Sequence, residues 1–148
     1  LKGVHGLIRA LAHLPATFHL AVAGGRGGRD LLALGRTLGV VDRVHILGRV
    51  DDMPRLYRAA DLFVLNTFYD ACANAVLEAL ACGLPVVSTA CNGSSAFLRP
   101  EAVLEEPTDA PRLAALIRAH IHQGSTARTD FSPLCGLAPY ADLIRSLA

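Results

Sequence analysis

The chain has a single lysine, no CxxC pair, no internal repeat and no apolar run long enough to cross a bilayer. Each absence removes a class of protein. The basic residues other than Lys2 are arginines and histidines scattered along the chain, and the formal net charge is +1. No basic stripe of a nucleic-acid binder is present, so no nucleic-acid partner is expected. Cys72, Cys82, Cys91 and Cys135 lack zinc spacing and read as reduced, small apolar residues, which suits a cytosolic compartment. The longest apolar run, Ala79 to Val87, contains Gly83 and Pro85 and is far too short for a membrane span; no signal-peptide pattern opens the chain. His5, His13, His19, His45, His120 and His122 are dispersed, and His120 and His122, two apart, cannot share a helical face. Ser88, Ser94 and Ser95 lack a nucleophile-elbow context. Position 1 is Leu, not Met, and a cut start is the expectation.

What remains is apolar and regularly patterned. At 148 residues and 52% hydrophobic, the chain suits one domain with a core of ordinary size. Val4, Leu7, Ile8, Leu11 and Leu14 recur at helical spacing up to Pro15. Then come a strand over Phe18 to Ala23, a helix with Leu31, Leu34 and Leu38, a strand over Val44 to Leu47, a short helix from Met53 to Ala60 and a strand over Leu62 to Leu65. After a central helix follow strands over Pro85 to Thr89 and near Val103 and Leu104, then a helix with Leu113, Leu116, Ile117 and Ile121 on one face. This alternation predicts an α/β, Rossmann-like parallel sheet with helices on both faces. The expected division is a core over 1–123, a loop over 124–138 and a last amphipathic helix over 139–148.

The organising stretch is Thr67 to Gly93. Between Ala75 and Val87 the only charged residue is Glu78, and a carboxylate drawn into an apolar layer needs a polar partner. Eight positions earlier, after the strand ending at Leu65, stands Asp70. Ligands of open parallel sheets collect at the carboxyl ends of strands, and a loop that opens a helix there offers backbone N–H groups and a positive helix end. Gly24 to Asp30, Gly48 to Asp52, Asn66 to Asn74 and Ser88 to Ser95 all fall at such ends. An anionic ligand carrying hydroxyl groups fits this arrangement; so does the simpler reading in which Asp70 caps the helix and a neighbour satisfies Glu78. The glycines from Gly24 do not follow GxGxxG, so a dinucleotide fingerprint is not supported. Asp51 and Asp52 read as the cap of the short helix.

Asp70 and Glu78, separated by seven residues and followed by AxxxGLPVVST and NG, resemble the acidic pair of the family 4 glycosyltransferases, retaining enzymes of GT-B architecture. With Asp in first place and NAVLEALACGLPVV behind it, the stretch is most similar to the branch of lipopolysaccharide core glucosyltransferases. GRVDDMPRLYRAADLFVL, from Gly48 to Leu65, resembles a second block of the family. The likeness runs from Lys2 to about Leu98 and more loosely to the end.

The resemblance implies a C-terminal, donor-binding domain that moves a hexose with retention from a nucleotide-sugar, UDP-glucose or a related UDP-hexose, to a lipopolysaccharide core or similar glycan. It implies that Glu78 holds the ribose hydroxyls and Asp70 the hydroxyls of the transferred sugar. The N–H groups of Cys72, Ala73 and Asn74 then face the diphosphate, Lys2 binds it, Gly25 and Arg26 lie at the cleft, and the loop after Gly48 cradles the base. No cofactor or metal is expected: the chain contains no Asp-x-Asp, the metal–diphosphate motif of the other large glycosyltransferase architecture. Two departures stand out, Asp70 where the family commonly has Glu, and Ala96 where Glu is more frequent. The resemblance further implies an N-terminal acceptor domain absent from this sequence, a cytoplasmic location, and contact with the inner membrane through that absent half alone. A first, central strand would also be missing. Phe18 to Ala23 and Leu62 to Leu65 should then flank a gap, and the chain alone should fold poorly, associate, or pair those two strands directly. The rival readings are a non-catalytic fragment and another Rossmann-like nucleotide-binding module.

Overall fold

The computed structural model describes residues 3–24, 28–121, 123 and 126. Helix α1 (Val4–Leu11) leads to β1 (Leu20–Ala23), α2 (Gly28–Thr37), β2 (Val44–Gly48) and α3 (Met53–Ala59). Strand β3 (Phe63–Leu65), α4 (Asn74–Ala81), β4 (Val86–Thr89), β5 (Val103–Leu104) and α5 (Ala110–His120) complete the order. The elements follow the apolar periodicity, with ends that differ from the expected ones by up to three residues. Helix α1 stops at Leu11, short of Leu14: the N–H groups of Ala12, His13 and Leu14 turn to the carbonyls three residues back, Pro15 has no N–H to carry the helix on, and the Arg43 guanidinium takes the carbonyls of Leu11 (3.1 Å), Leu14 (3.3 Å) and Pro15 (3.0 Å). Asp52 caps α3 by accepting the Arg55 N–H at 3.0 Å, whereas Asp51 pairs with Arg49 instead. The helix expected over 139–148 and most of the loop over 124–138 lie outside the described residues. Thr126, inside that loop, is fully buried; its hydroxyl accepts from the Val86 N–H and donates to the Val86 carbonyl, both at 2.8 Å.

All described pairings are parallel, so each needs a crossover, and helices supply most of them. Ile8, Leu11, Leu31, Leu113 and Ile117 from α1, α2 and α5 gather on one face with Val87 and Leu104. Val76, Leu80 and Tyr57 from α4 and α3 gather on the other with Leu65 and Val86. Val86 and Val87 thus send neighbouring side chains to opposite cores, as the pleat of a strand buried on both faces requires. Over β1 and β2 this double cover is incomplete: Ala21, Ala23, His45 and Leu47 are exposed, and His19 and His45 stack there with ring centroids 5.3 Å apart.

The strands form two sheets, β1–β2 and β3–β4–β5. Of the alternatives expected for the strands over 18–23 and 62–65, direct pairing does not occur. Gly3 donates its N–H to the Asn66 carbonyl at 2.7 Å, and Asn66 Nδ2 bonds the Gly3 carbonyl at 3.2 Å. The start of α1 is thereby held at the carboxyl end of β3, while the rest of α1 packs in the core shared with β1. Residues of β1 and β3 line a cavity of about 450 Å3 between the two sheets.

Candidate functional site

The site is assembled where β3 and β4 end. Past Leu65 the chain turns through Asn66 and Thr67, both buried, and past Thr89 it turns through Cys91 and Asn92. The two loops are stitched together. Asp70 donates its N–H to Cys91 O (3.1 Å), Gly93 donates to Asp70 O (2.9 Å), and Asp70 and Asn92 form a parallel bridge. Thr89 Oγ1 adds a bond to Thr67 O at 2.7 Å.

Asn92 is 0% exposed and spends its whole amide on the junction. Its Oδ1 accepts from Ala73 N (3.3 Å) and Ser94 N (3.1 Å), and its Nδ2 donates to Ser88 Oγ (3.0 Å). Ser88 Oγ passes the chain on to Leu65 O, and Ser94 Oγ bonds Ala73 O and Cys72 Sγ. At Gly93 a β-carbon would overlap the carbonyl oxygen of Ala71, so this close approach requires glycine. The Asn-Gly pair is therefore a buckle between the loops.

Helix α4 begins at this buckle. Ala73 precedes it with no side-chain cap, and its first turn carries no acidic residue. Asp70 is not the cap that the simpler reading assigned; its Oδ1 accepts from Cys72 N at 3.2 Å. Of the three amides singled out in sequence, Cys72 N is thus engaged by Asp70 and Ala73 N by the buried Asn92. Asn74 and Ala75, in the first turn, have N–H groups with no acceptor inside the helix, and the positive end of the helix lies with them.

Glu78 departs from expectation. It is exposed, not sunk in the apolar layer, because α4 buries Val76, Ala79 and Leu80 and turns residue 78 outward. It stands one turn beyond Asn74, at i,i+4, on the same helical face. The polar partner that the sequence demanded is real: Tyr57 of α3 donates its hydroxyl to Glu78 Oε2 at 3.1 Å. Tyr57 is itself 3% exposed. Burial, then the hydrogen bond to Glu78, pushes its phenol far above its usual value, so the hydroxyl remains a donor well into alkaline pH.

Tyr57→Phe is expected to cost about 1 kcal/mol of stability at neutral pH, the net worth of one hydrogen bond. A phenol whose folded pKa lies above its unfolded value of about 10 contributes stability in full below pH 10 and loses it as pH rises further. The deficit of the variant should therefore shrink above pH 10 and close within about one pH unit. Denaturant melts of both proteins from pH 7 to 11 measure it; a deficit independent of pH would mean that the phenol is not held protonated by this contact.

Gly48 ends β2 with φ of +65°, a conformation that favours glycine, and it opens the loop to α3. Lys2, Gly25 and Arg26 lie outside the described residues. The structure therefore brings together Asp70, Cys72, Ala73, Asn74 and Glu78, whereas Gly48 ends β2 of the other sheet, paired with Ala23 of β1. Sequence reasoning placed Ser88 to Ser95 at the strand ends but gave Ser88, Asn92 and Ser94 no role there, and it missed Tyr57. Among the described residues no group of three or more His, Cys, Asp or Glu could hold a metal ion.

The family model of the group 1 glycosyl transferases matches residues 1–123. The chain belongs to that family. The group 1 domain is 38% identical over 98 residues to the lipopolysaccharide core biosynthesis glycosyltransferase LpsE of Rhizobium meliloti, covering 66% of this chain and 29% of LpsE. It is 33% identical over 129 residues to the lipopolysaccharide glucosyltransferase WaaG of Escherichia coli, covering 82% of this chain and 34% of WaaG. The crystal structure of WaaG superposes with a TM-score of 0.75. Anabaena Alr3699/HepE, solved with UDP and with UDP-glucose, superposes at 0.79 with 26% identity over 98% of this chain and 45% of HepE. The chain thus spans about a third of the length of LpsE and WaaG, and its fold is the Rossmann-like kind found in GT-B glycosyltransferases.

Proposed function

We propose that this group 1 domain is the donor-binding half of a retaining, family 4 type hexosyltransferase. It takes a UDP-hexose, foremost UDP-glucose, and passes the hexosyl group to a lipopolysaccharide core or related glycan. The observation that carries the reading is the joint placement, at the carboxyl ends of β3 and β4, of the Asp70 carboxylate and the acid-free first turn of α4, with Glu78 one turn along the same helix. A nucleoside diphosphate sugar offers complementary groups. The diphosphate meets the Asn74 and Ala75 amides at the positive helix end, and two hydroxyls of the ribose bind Glu78. The transferred sugar meets the oxygen of Asp70 that does not bond Cys72. Charge developing on the leaving diphosphate is stabilised by fixed N–H dipoles and by Lys2, a form of electrostatic catalysis that does not call for a metal. The names of LpsE and WaaG and the UDP-glucose complex of HepE support donor and acceptor class. The reading includes an acceptor-side domain on the same polypeptide and a cytoplasmic setting.

Asp70→Ala separates the roles. UDP affinity should stay within about threefold, because the partner of Asp70 is the sugar, while hexosyl transfer falls by about a hundredfold, the value of one charged hydrogen bond used in the transition state. Calorimetric titration with UDP, beside a transfer assay on the polypeptide with its acceptor domain, measures both, and a chelator should leave both unchanged. Collapse of UDP binding would make Asp70 a structural residue, and strong inhibition by the chelator would remove the metal-free mechanism.

A further inference from the structure

Glu78 presents its carboxylate from an exposed position on α4, at the end of a side chain with three torsions to fix before it can hold two hydroxyls at once. Ordering such a side chain at the moment of binding lowers affinity. A carboxylate already held by the protein avoids that loss.

Tyr57 supplies the hold. Its ring is 3% exposed, lies in the core with Leu65, Val76, Leu80 and Val86, and meets Phe63 edge-on, with centroids 5.7 Å apart and planes at 89°. Close packing of this kind fixes the ring, so its hydroxyl marks a set point beside α4. From there it donates to Glu78 Oε2 at 3.1 Å. Among the described residues no arginine pairs with Glu78, and the chemistry of the partner matters. A guanidinium would cover both carboxylate oxygens with its fork and offset their charge. A phenol is neutral and takes one of about four acceptor sites. Both oxygens of Glu78 thus keep room for a further hydroxyl. Burial and the bond to Glu78 hold the phenol far above its usual value, so this donor is not lost by ionisation at neutral pH.

We propose that Tyr57 is a positioning residue for donor binding, which does not touch the nucleotide but presets the Glu78 carboxylate in the orientation that accepts two ribose hydroxyls. The proposal rests on the reading of Glu78 as the ribose carboxylate. Two consequences of the contact oppose each other. A donor at Oε2 draws some charge from the carboxylate and weakens its grip on hydroxyls, whereas immobilising the side chain removes an ordering cost from the binding step. The second prevails, because a neutral donor uses one acceptor site of about four, while without it the whole side chain is free in water.

Calorimetric titration tests this on the polypeptide with its acceptor domain and on its Tyr57→Phe variant, at a temperature where both are folded. The ligands are UDP and 2′,3′-dideoxyuridine diphosphate, which lacks both ribose hydroxyls. Tyr57→Phe should weaken UDP binding about fivefold and leave the dideoxy ligand within about 1.5-fold, since a residue that acts through the ribose contact has nothing to act on there. In a Glu78→Ala background the same substitution should be silent for both ligands. A purely structural role would weaken both ligands alike and persist in that background, which would overturn the proposal. Unchanged or tighter UDP binding by Tyr57→Phe, in a parent that prefers UDP to the dideoxy ligand, would overturn it too. Either result leaves the ribose reading of Glu78 standing. A parent that binds the two ligands equally would overturn that reading, and the proposal with it.

Discussion

Asn92→Ala is expected to destabilise the domain by about 3 kcal/mol or more, the largest effect of any single polar substitution at the site. The side chain is fully buried and joins Ala73 N, Ser94 N and Ser88 Oγ. Truncation leaves two buried amides without an acceptor, each worth about 1–3 kcal/mol, and the terms share one network and so do not simply add. Loss of stability is only half of the expected result. Because the same residue ties the Asp70 loop to the start of α4, the variant should bind UDP more weakly even at temperatures where it is fully folded. Asn92→Asp offers the control, since a carboxylate keeps both amide bonds and loses only the donor to Ser88. It should recover most of the UDP affinity. Urea melts and calorimetry decide the matter; a variant within about 0.5 kcal/mol of the parent would show that the buckle does not hold the loops together.

Glu78→Gln carries the largest expected effect on ligand binding. UDP and UDP-glucose share the ribose, so affinity for both should fall by about tenfold to a hundredfold, equivalent to about 1.5–3 kcal/mol for a charged hydrogen bond. Stability should change little, because Glu78 is exposed and Gln can still accept from Tyr57 at the position of Oε2. That contrast distinguishes a ligand-binding carboxylate from a structural one. Unchanged UDP affinity would remove Glu78 from the site, and a large loss of stability would make the Tyr57 contact its main purpose.

These two residues also show what was legible in the chain. The strands could be read because each is a short apolar run, and β4 in particular is buried on both faces. The helices could be read from their apolar stripes. The need of Glu78 for a partner was legible from its apolar surroundings in sequence, yet the inference that it is buried was wrong. An eight-residue helix that packs on one face of a sheet still keeps its other side in water, and periodicity over so short a span does not say which. The partner itself, Tyr57, lies 21 residues away in another helix, and no local pattern links the two. Asn92 was visible as half of an Asn-Gly pair, but its partners at Ala73 and Ser88 become neighbours only when two strand ends meet. That β1 and β3 stay unpaired, with Gly3 bonded to Asn66 across 63 positions of sequence, is a nonlocal arrangement that no local pattern carries.

Thr126 bears on the order of events during synthesis. Its hydroxyl satisfies both the N–H and the carbonyl of Val86, the first residue of β4, from 40 positions downstream. Parallel pairing already obliges each strand to wait for its crossover, and such nonlocal contacts form slowly. For β4 the wait is longer than its own crossover demands. As the chain leaves the ribosome at about 5–20 residues per second, β4 emerges roughly two to eight seconds before the residue that closes its amino end. Throughout that interval the central strand of the larger sheet has a raw backbone end, and α5 has to be made before the last stitch can be tied.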